Sequence, residues 1–233
     1  MEQLKRGGLS TLEIPGEPAG PTFIIFHGFG ADAYDLSSLH SLYEGAPKAH
    51  WIFPQGPLEI PFSPHYTGRA WFPIDIEGIQ KAMRKEDLAS VVQAFPTDLT
   101  EVREKVEMLI AELNIPRSKM IFGGFSQGAI LAVDIALHSL TRSAGLLLFS
   151  GIAIHAERWK KLLPSHRGTP FFQSHGREDP LLPFSQAQAL ERLLVEGGFQ
   201  GKLHAFQGGH EIPSPILREA STFLKLSLDR GLA

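Results

Sequence analysis

Apolar positions along this chain follow two spacings. Residues 22–26, 49–53, 120–122 and 145–149 are short runs with almost no polar alternation, as in strands covered on both faces. Residues 98–113 instead repeat Val102, Val106, Leu109, Ile110 and Leu113 at helical intervals, with Arg103, Glu104, Lys105 and Glu107 on the other side. Asp98 is placed to cap that helix, Glu101 stands at the capping-box position, and Asn114-Ile115-Pro116 ends it. Residues 9–14 alternate weakly and predict a short edge strand before the turn Pro15-Gly16-Glu17-Pro18. The same reasoning predicts helices over 37–43, 129–137, 184–195 and 216–228, and strands over 170–174 and 202–206. Strands alternating with helices predict an α/β fold with a mainly parallel central sheet flanked by helices, as a single domain over 1–233.

One segment breaks the pattern. From about 57 to 95, Pro57, Pro61, Pro64 and Pro73 interrupt a stretch rich in aromatics: Phe62, Tyr66, Trp71 and Phe72. A long connection with little regular structure is uncommon in a folded domain, and its aromatic content argues against disorder. It reads either as a loop packed over a pocket or as an insertion covering part of the core.

Composition narrows the function classes. A chain of 233 residues with 43% hydrophobic and 20% charged residues is globular and needs no disulfide or metal staple. A formal net charge of −3, without a basic cluster, argues against a nucleic-acid partner. The absence of cysteine excludes disulfides, a thiol nucleophile and Cys-based metal sites. Neither a signal-peptide core nor a membrane-length apolar run is visible, so no membrane insertion and a cytoplasmic location are expected.

The chemistry gathers at residues 123–128, Gly-Gly-Phe-Ser-Gln-Gly, between an apolar strand and a helix. Gly124-x-Ser126-x-Gly128 in that context is a nucleophile-elbow pattern; the glycines let strand and helix approach while the turn pushes the Ser126 hydroxyl outward. A plain turn accounts for the pentapeptide alone equally well. Two more residues shift the balance. Asp179 follows the strand 170–174 and His210 follows the strand 202–206, so nucleophile, acid and base arrive in the chain order of α/β-hydrolases. The oxyanion donors expected with them are the backbone N–H of Gln127 and that of Phe29, in the glycine-rich loop His27-Gly28-Phe29-Gly30. Glu178 and Glu211, beside the acid and the base, read as solvated loop charges. His27 and His175 read as backbone-bonded structural residues, and Asp134 and His138 as satisfied or exposed helix side chains. His65 and His155 lie in loops without a metal-type partner, and His40, His50, His166 and His204 read as surface or core. No set has metal-ligand spacing, so neither metal nor other cofactor is expected.

Six blocks in register, namely the elbow, His27–Gly30, Phe53-Pro54-Gln55, Ala70-Trp71-Phe72, 179–183 and 209–212, resemble the phospholipase/carboxylesterase family of α/β-hydrolases, which includes acyl-protein thioesterases and small bacterial carboxylesterases. The resemblance implies a hydrolase without a large cap domain, a Ser126–His210–Asp179 triad, oxyanion donors at Phe29 and Gln127, and an apolar acyl site near Trp71, Ile152 and Leu182. Phe62 and Phe72, from the aromatic segment, are added to that site. The expected activity is a serine esterase acting on a small-molecule ester or thioester through an acyl-enzyme. A non-catalytic binding protein and a small serine peptidase are the alternatives. The sequence departs from the family at Phe29, at Ala31-Asp32 and at Ala129, and its exposed aromatics suit a pocket or a homodimer contact equally.

Overall fold

The computed structural model describes residues 1–44, 48–63, 65–87 and 89–229. Its elements in chain order are β1 (Glu2–Arg6), β2 (Leu9–Ile14), β3 (Thr22–Phe26), β4 (His50–Pro54), β5 (Leu58–Ser63), β6 (Tyr66–Ala70), α1 (Ile76–Arg84), α2 (Thr100–Leu113), β7 (Met120–Phe125), α3 (Gln127–Leu137), β8 (Gly145–Phe149), α4 (Ala156–Leu162), β9 (Pro170–Gly176), α5 (Phe184–Glu196), β10 (Gln200–Phe206) and α6 (Ser214–Asp229). Eight strands form one sheet in the order β1-β2-β4-β3-β7-β8-β9-β10, and β5 pairs with β6 separately. From β4 to β10 every pairing is parallel, whereas β1, β2 and β4 are joined antiparallel. This is the mainly parallel sheet that the apolar runs predict.

Strand periodicity divides the core. On β3, Ile24 and Phe26 face one cluster with α2, α3, α4 and α5, while Phe23 and Ile25 face another with Ile216, Ala220 and Leu224 of α6. Helix α3 is buried along its whole length, from Gln127 to Leu137. It has no solvent face, so its amino terminus is fixed by packing on all sides.

Several elements differ from the sequence expectation. Residues 9–14 do not form an edge strand, because β1 lies outside them, pairing Glu2 with Glu13 through to Arg6 with Leu9. Residues 37–42 form a short 3-10 turn, not an α-helix. Leu99, not Asp98, stands at the N-cap of α2; Asp98 accepts instead from Thr100 Oγ1 at 2.8 Å and Arg158 at 3.0 Å, and Glu101 pairs with Lys105 at 2.6 Å. Helix α4 is an addition. The segment 57–95 is more regular than its prolines suggest: the β5–β6 hairpin, then α1, which Asp75 caps by accepting from Gly78 N at 2.9 Å, then a 3-10 turn over Ser90–Ala94. Pro64 of that segment lies outside the described residues.

The added strand β1 brings Arg6 onto a buried charge of β2. Glu13 is 1% exposed and accepts from Arg6 Nε at 2.7 Å, Thr11 Oγ1 at 2.8 Å and His50 Nε2 at 3.0 Å. Burial pushes its carboxyl upward, but the bonds from His50, Arg6 and Thr11 overcome that and hold it at about 2. A carboxyl depressed from 4.5 stabilises the fold above pH 4.5, and the contribution drains as pH falls toward 2. Replacing Glu13 by Ala should cost about 3 kcal/mol at neutral pH, since it leaves Arg6 and His50 without their partner. Urea melts should also show a shallower loss of stability between those pH values than in the native chain.

Candidate active site

Strand β7 ends at Phe125 and α3 begins at Gln127, which leaves Ser126 alone in the corner at φ 54° and ψ −116°. A non-glycine residue at positive φ is strained, by an amount of order 1–3 kcal/mol, and persists only where its surroundings impose it. Here they do. A Cβ on Gly124 would come to 2.4 Å from the Phe26 carbonyl oxygen and 2.6 Å from Gly128 C, and one on Gly128 to 1.9 Å from the same Phe26 oxygen. The Ser126 N–H donates to Phe149 O at 2.8 Å, and its carbonyl accepts from Ile130 N at 3.1 Å.

Asp179 lies on the loop after β9 and His210 on the loop after β10. The His210 Nδ1 is 2.6 Å from Asp179 Oδ2, while Asp179 Oδ1 accepts from the N–H groups of Leu181 and Leu182 at 2.9 Å each. Burial would raise the Asp179 carboxyl, yet hydrogen bonds from His175, His210 and Leu182 N hold it far below the usual carboxylate range. The His210 ring rests on the Phe125 ring, centroid to centroid 4.7 Å, beside Ser126. No hydrogen bond joins Ser126 Oγ to His210 Nε2 among the described residues; such bonds are often long before substrate binds.

The loop 27–30 is clamped from two directions. His27 donates from Nδ1 to Gly28 O at 2.7 Å and accepts at Nε2 from Gly56 N at 2.9 Å, which fixes its tautomer. Burial lowers its pKa, in keeping with a neutral ring. The hairpin supplies the second clamp. Gly30 N donates to Arg69 O and Arg69 N to Ala31 O, both at 2.8 Å, and Tyr66 Oη donates to Gly30 O at 2.7 Å. Gln127 closes the arrangement by accepting from Trp71 N at 2.8 Å and donating to Phe72 O at 2.7 Å. The N–H groups of Phe29 and Gln127 have no acceptor among the described residues.

Of the residues expected at the acyl site, Trp71, Phe72, Ile152 and Leu182 are 1%, 3%, 0% and 3% exposed and belong to one core cluster. The Trp71 indole is committed, donating from Nε1 to His27 O at 3.0 Å. Phe62 does face solvent, with its ring edge-on to Phe29 at 6.4 Å and directly over Gly30. Glu178 and Glu211 are exposed and bond within the loops, to Gln207 Nε2 at 2.8 Å and Gly209 N at 3.3 Å. Asp134 is buried and satisfied by Arg103, Trp159 Nε1 and His138. Among the described residues no three His, Cys, Asp or Glu side chains group to hold a metal. A groove of about 740 Å³ exists elsewhere, lined by Lys119, Arg142, Phe171, Lys202 and Phe223, and it touches none of the candidate residues. The supporting roles of Tyr66, Arg69 and the Gln127 side chain have no sequence signal of their own, because they depend on a hairpin whose short alternation is interrupted by Pro61.

A mainly parallel sheet with a strained serine at the corner after β7, and an acid and a histidine on the loops after β9 and β10, is the arrangement of an α/β-hydrolase. Residues 9–228 match the phospholipase/carboxylesterase family, and the chain belongs to that family. It is 31% identical over 231 residues to an acyl-protein thioesterase 1 of Eremothecium gossypii, spanning 91% of this chain and 90% of that protein. It is 25% identical to carboxylesterase SOBER1 of Arabidopsis thaliana, spanning 89% and 91%. The fold matches the crystal structure of esterase PE8 at TM-score 0.77 and 24% identity, over 96% of this chain and 99% of that one. A Bacillus cereus carboxylesterase matches at TM-score 0.71 and 17% identity, over 94% of both.

Replacing Gln127 by Leu keeps its volume but orphans the buried Trp71 N–H and the Phe72 carbonyl. We expect a loss of about 2 kcal/mol in denaturant melts, with the secondary structure seen by circular dichroism unchanged.

Proposed function

We propose that this protein is a serine carboxylesterase, cleaving small carboxylic esters and thioesters through an acyl-enzyme. The observation that carries the reading is the 2.6 Å bond from His210 Nδ1 to Asp179 on the loop beside a strained Ser126. With Nδ1 committed to the carboxylate, Nε2 is the nitrogen left to take a proton. Ser126 Oγ attacks the ester carbonyl and passes its proton to His210 Nε2. The negative oxygen of the tetrahedral intermediate is held by the N–H groups of Phe29 and Gln127. Collapse expels the alcohol or thiol, which leaves with the proton from His210. Water then repeats the sequence on the acyl-enzyme, releasing the carboxylic acid and restoring Ser126. Asp179 stays ionised throughout and orients the imidazole.

The named relatives support this class: an acyl-protein thioesterase and a carboxylesterase share nearly the full length of the chain. Phe62, exposed beside the Phe29 loop, is the side chain placed to meet the acyl or aryl group at the mouth. Among the described residues no helix is long and apolar enough to cross a membrane.

A fluorophosphonate probe should label the protein, and Ser126→Ala should abolish labelling and lower kcat by on the order of 10⁶. Labelling that survives in Ser126→Ala overturns the nucleophile assignment, and absence of turnover on p-nitrophenyl esters and acyl thioesters leaves a binding protein. Phe62→Ala should raise KM for the longer p-nitrophenyl esters about fivefold, equivalent to ~1 kcal/mol of lost apolar contact, with kcat nearly unchanged.

A further inference from the structure

We infer that His175 is a positioning residue for the proposed triad: its Nε2–H shares the carboxylate oxygen of Asp179 that His210 uses, and so sets both the orientation and the charge seen by the base. The inference rests on the triad reading above. It arises from a side chain that the proposed reaction does not use.

His175 is the penultimate residue of β9 and is 0% exposed. Its Nε2 lies 2.8 Å from Leu182 O and 3.2 Å from Asp179 Oδ2. A carbonyl oxygen only accepts, so Nε2 carries the proton, and that N–H faces the carbonyl and the carboxylate together. The other nitrogen, Nδ1, is buried without a partner among the described residues. A proton there would be a buried donor with no acceptor, which the fold disfavours. The tautomer is therefore fixed with the N–H toward Asp179.

The carboxylate is saturated as a result. Oδ1 takes the N–H groups of Leu181 and Leu182, and Oδ2 takes Nδ1 of His210 and Nε2 of His175. Sharing Oδ2 withdraws charge from the oxygen facing His210. The second donor thus prevents the carboxylate from rotating and moderates how firmly it holds His210 in the protonated form. Other charges around His175 are committed elsewhere. Arg177 lies over the Phe184 ring, Glu178 bonds Gln207, Glu211 bonds Gly209 N, and His204 of the adjacent β10 pairs with Glu219.

A purely structural role, pinning the 176–183 loop through Leu182 O, predicts different kinetics. The test compares the native chain with His175→Leu, which removes the N–H, and His175→Gln, whose amide N–H stands near the position of Nε2. The positioning role predicts that His175→Leu shifts the acid limb of kcat/KM upward by about half a pH unit or more and lowers kcat about tenfold, with KM little changed. His175→Gln should return most of both effects. An acid limb that stays in place in a folded His175→Leu overturns the inference, whatever happens to kcat. Where His175→Leu does not fold, nitrogen-15 NMR of the native chain decides. A His175 ring protonated at Nε2 alone supports the inference, and a proton on Nδ1 between pH 5 and 8 overturns it. Labelling that persists in Ser126→Ala would defeat the triad reading alone, and so remains separable from failure of this one.

Discussion

The carbonyl oxygen of Phe26 is the point from which the candidate site is built. Two positions where a Cβ would stand, on Gly124 and Gly128, converge on it at 2.4 Å and 1.9 Å. The end of β3, the end of β7 and the first turn of α3 therefore meet where only hydrogen fits. That meeting is what holds Ser126 at positive φ, because α3 is buried on every side and cannot swing away to relieve the strain. The same strand, β3, runs straight into His27-Gly28-Phe29-Gly30, so the glycine-rich loop and the serine corner take their positions from one place.

Clamping of that loop falls to a hairpin outside the main sheet. β6 adds to the loop as a strand would, through Gly30, Arg69 and Ala31, and a Cβ on Gly68 would stand 2.0 Å from Gly30 O. The exposed rings of Phe62 and Tyr66 lie on this hairpin, 5.7 Å apart, next to Phe29. Trp71, Phe72, Ile152 and Leu182 are buried in the core cluster beside this hairpin and the serine corner. The hairpin lies outside the main sheet, so it can vary in length and side chains without disturbing that sheet.

Ser126, Asp179 and His210 are singled out in the sequence because each follows a predicted strand and their chain order suits one fold. The observed β7, β9 and β10 bear out that placement of the strands. The hairpin is not legible. β5 does alternate, Leu58, Ile60 and Phe62 against Glu59, Pro61 and Ser63, but Pro61 argues against a strand unless it lies at an edge, and the segment carries further prolines on either side. β1 is hidden for a different reason: Leu4 is its one apolar residue, so it has no apolar face to produce an alternation. Trp71 and Leu182 stand beside motifs in the sequence, and nothing in the sequence says how deeply they are buried, at 1% and 3% exposed. Asp98 shows how a good capping residue is outbid by local tertiary partners, here Thr100 and Arg158.

Buried carboxylates in this fold fall into two kinds. Glu13 and Asp134 each take an arginine, Arg6 and Arg103, with other donors completing the set. A permanent cation against a carboxylate neutralises it and leaves little field to stabilise a second positive charge nearby. Asp179 is held differently. Among the described residues its donors are two backbone N–H groups and two imidazoles, with no lysine or arginine ion pair. Those donors satisfy the buried anion while leaving its net charge in place. An arginine at the position of His175 would anchor the carboxylate just as well, but it would cancel the charge that the proposed reaction needs when His210 takes up a proton. A neutral hydrogen-bonding side chain on the oxygen that His210 also uses is therefore the arrangement that keeps Asp179 both fixed and useful.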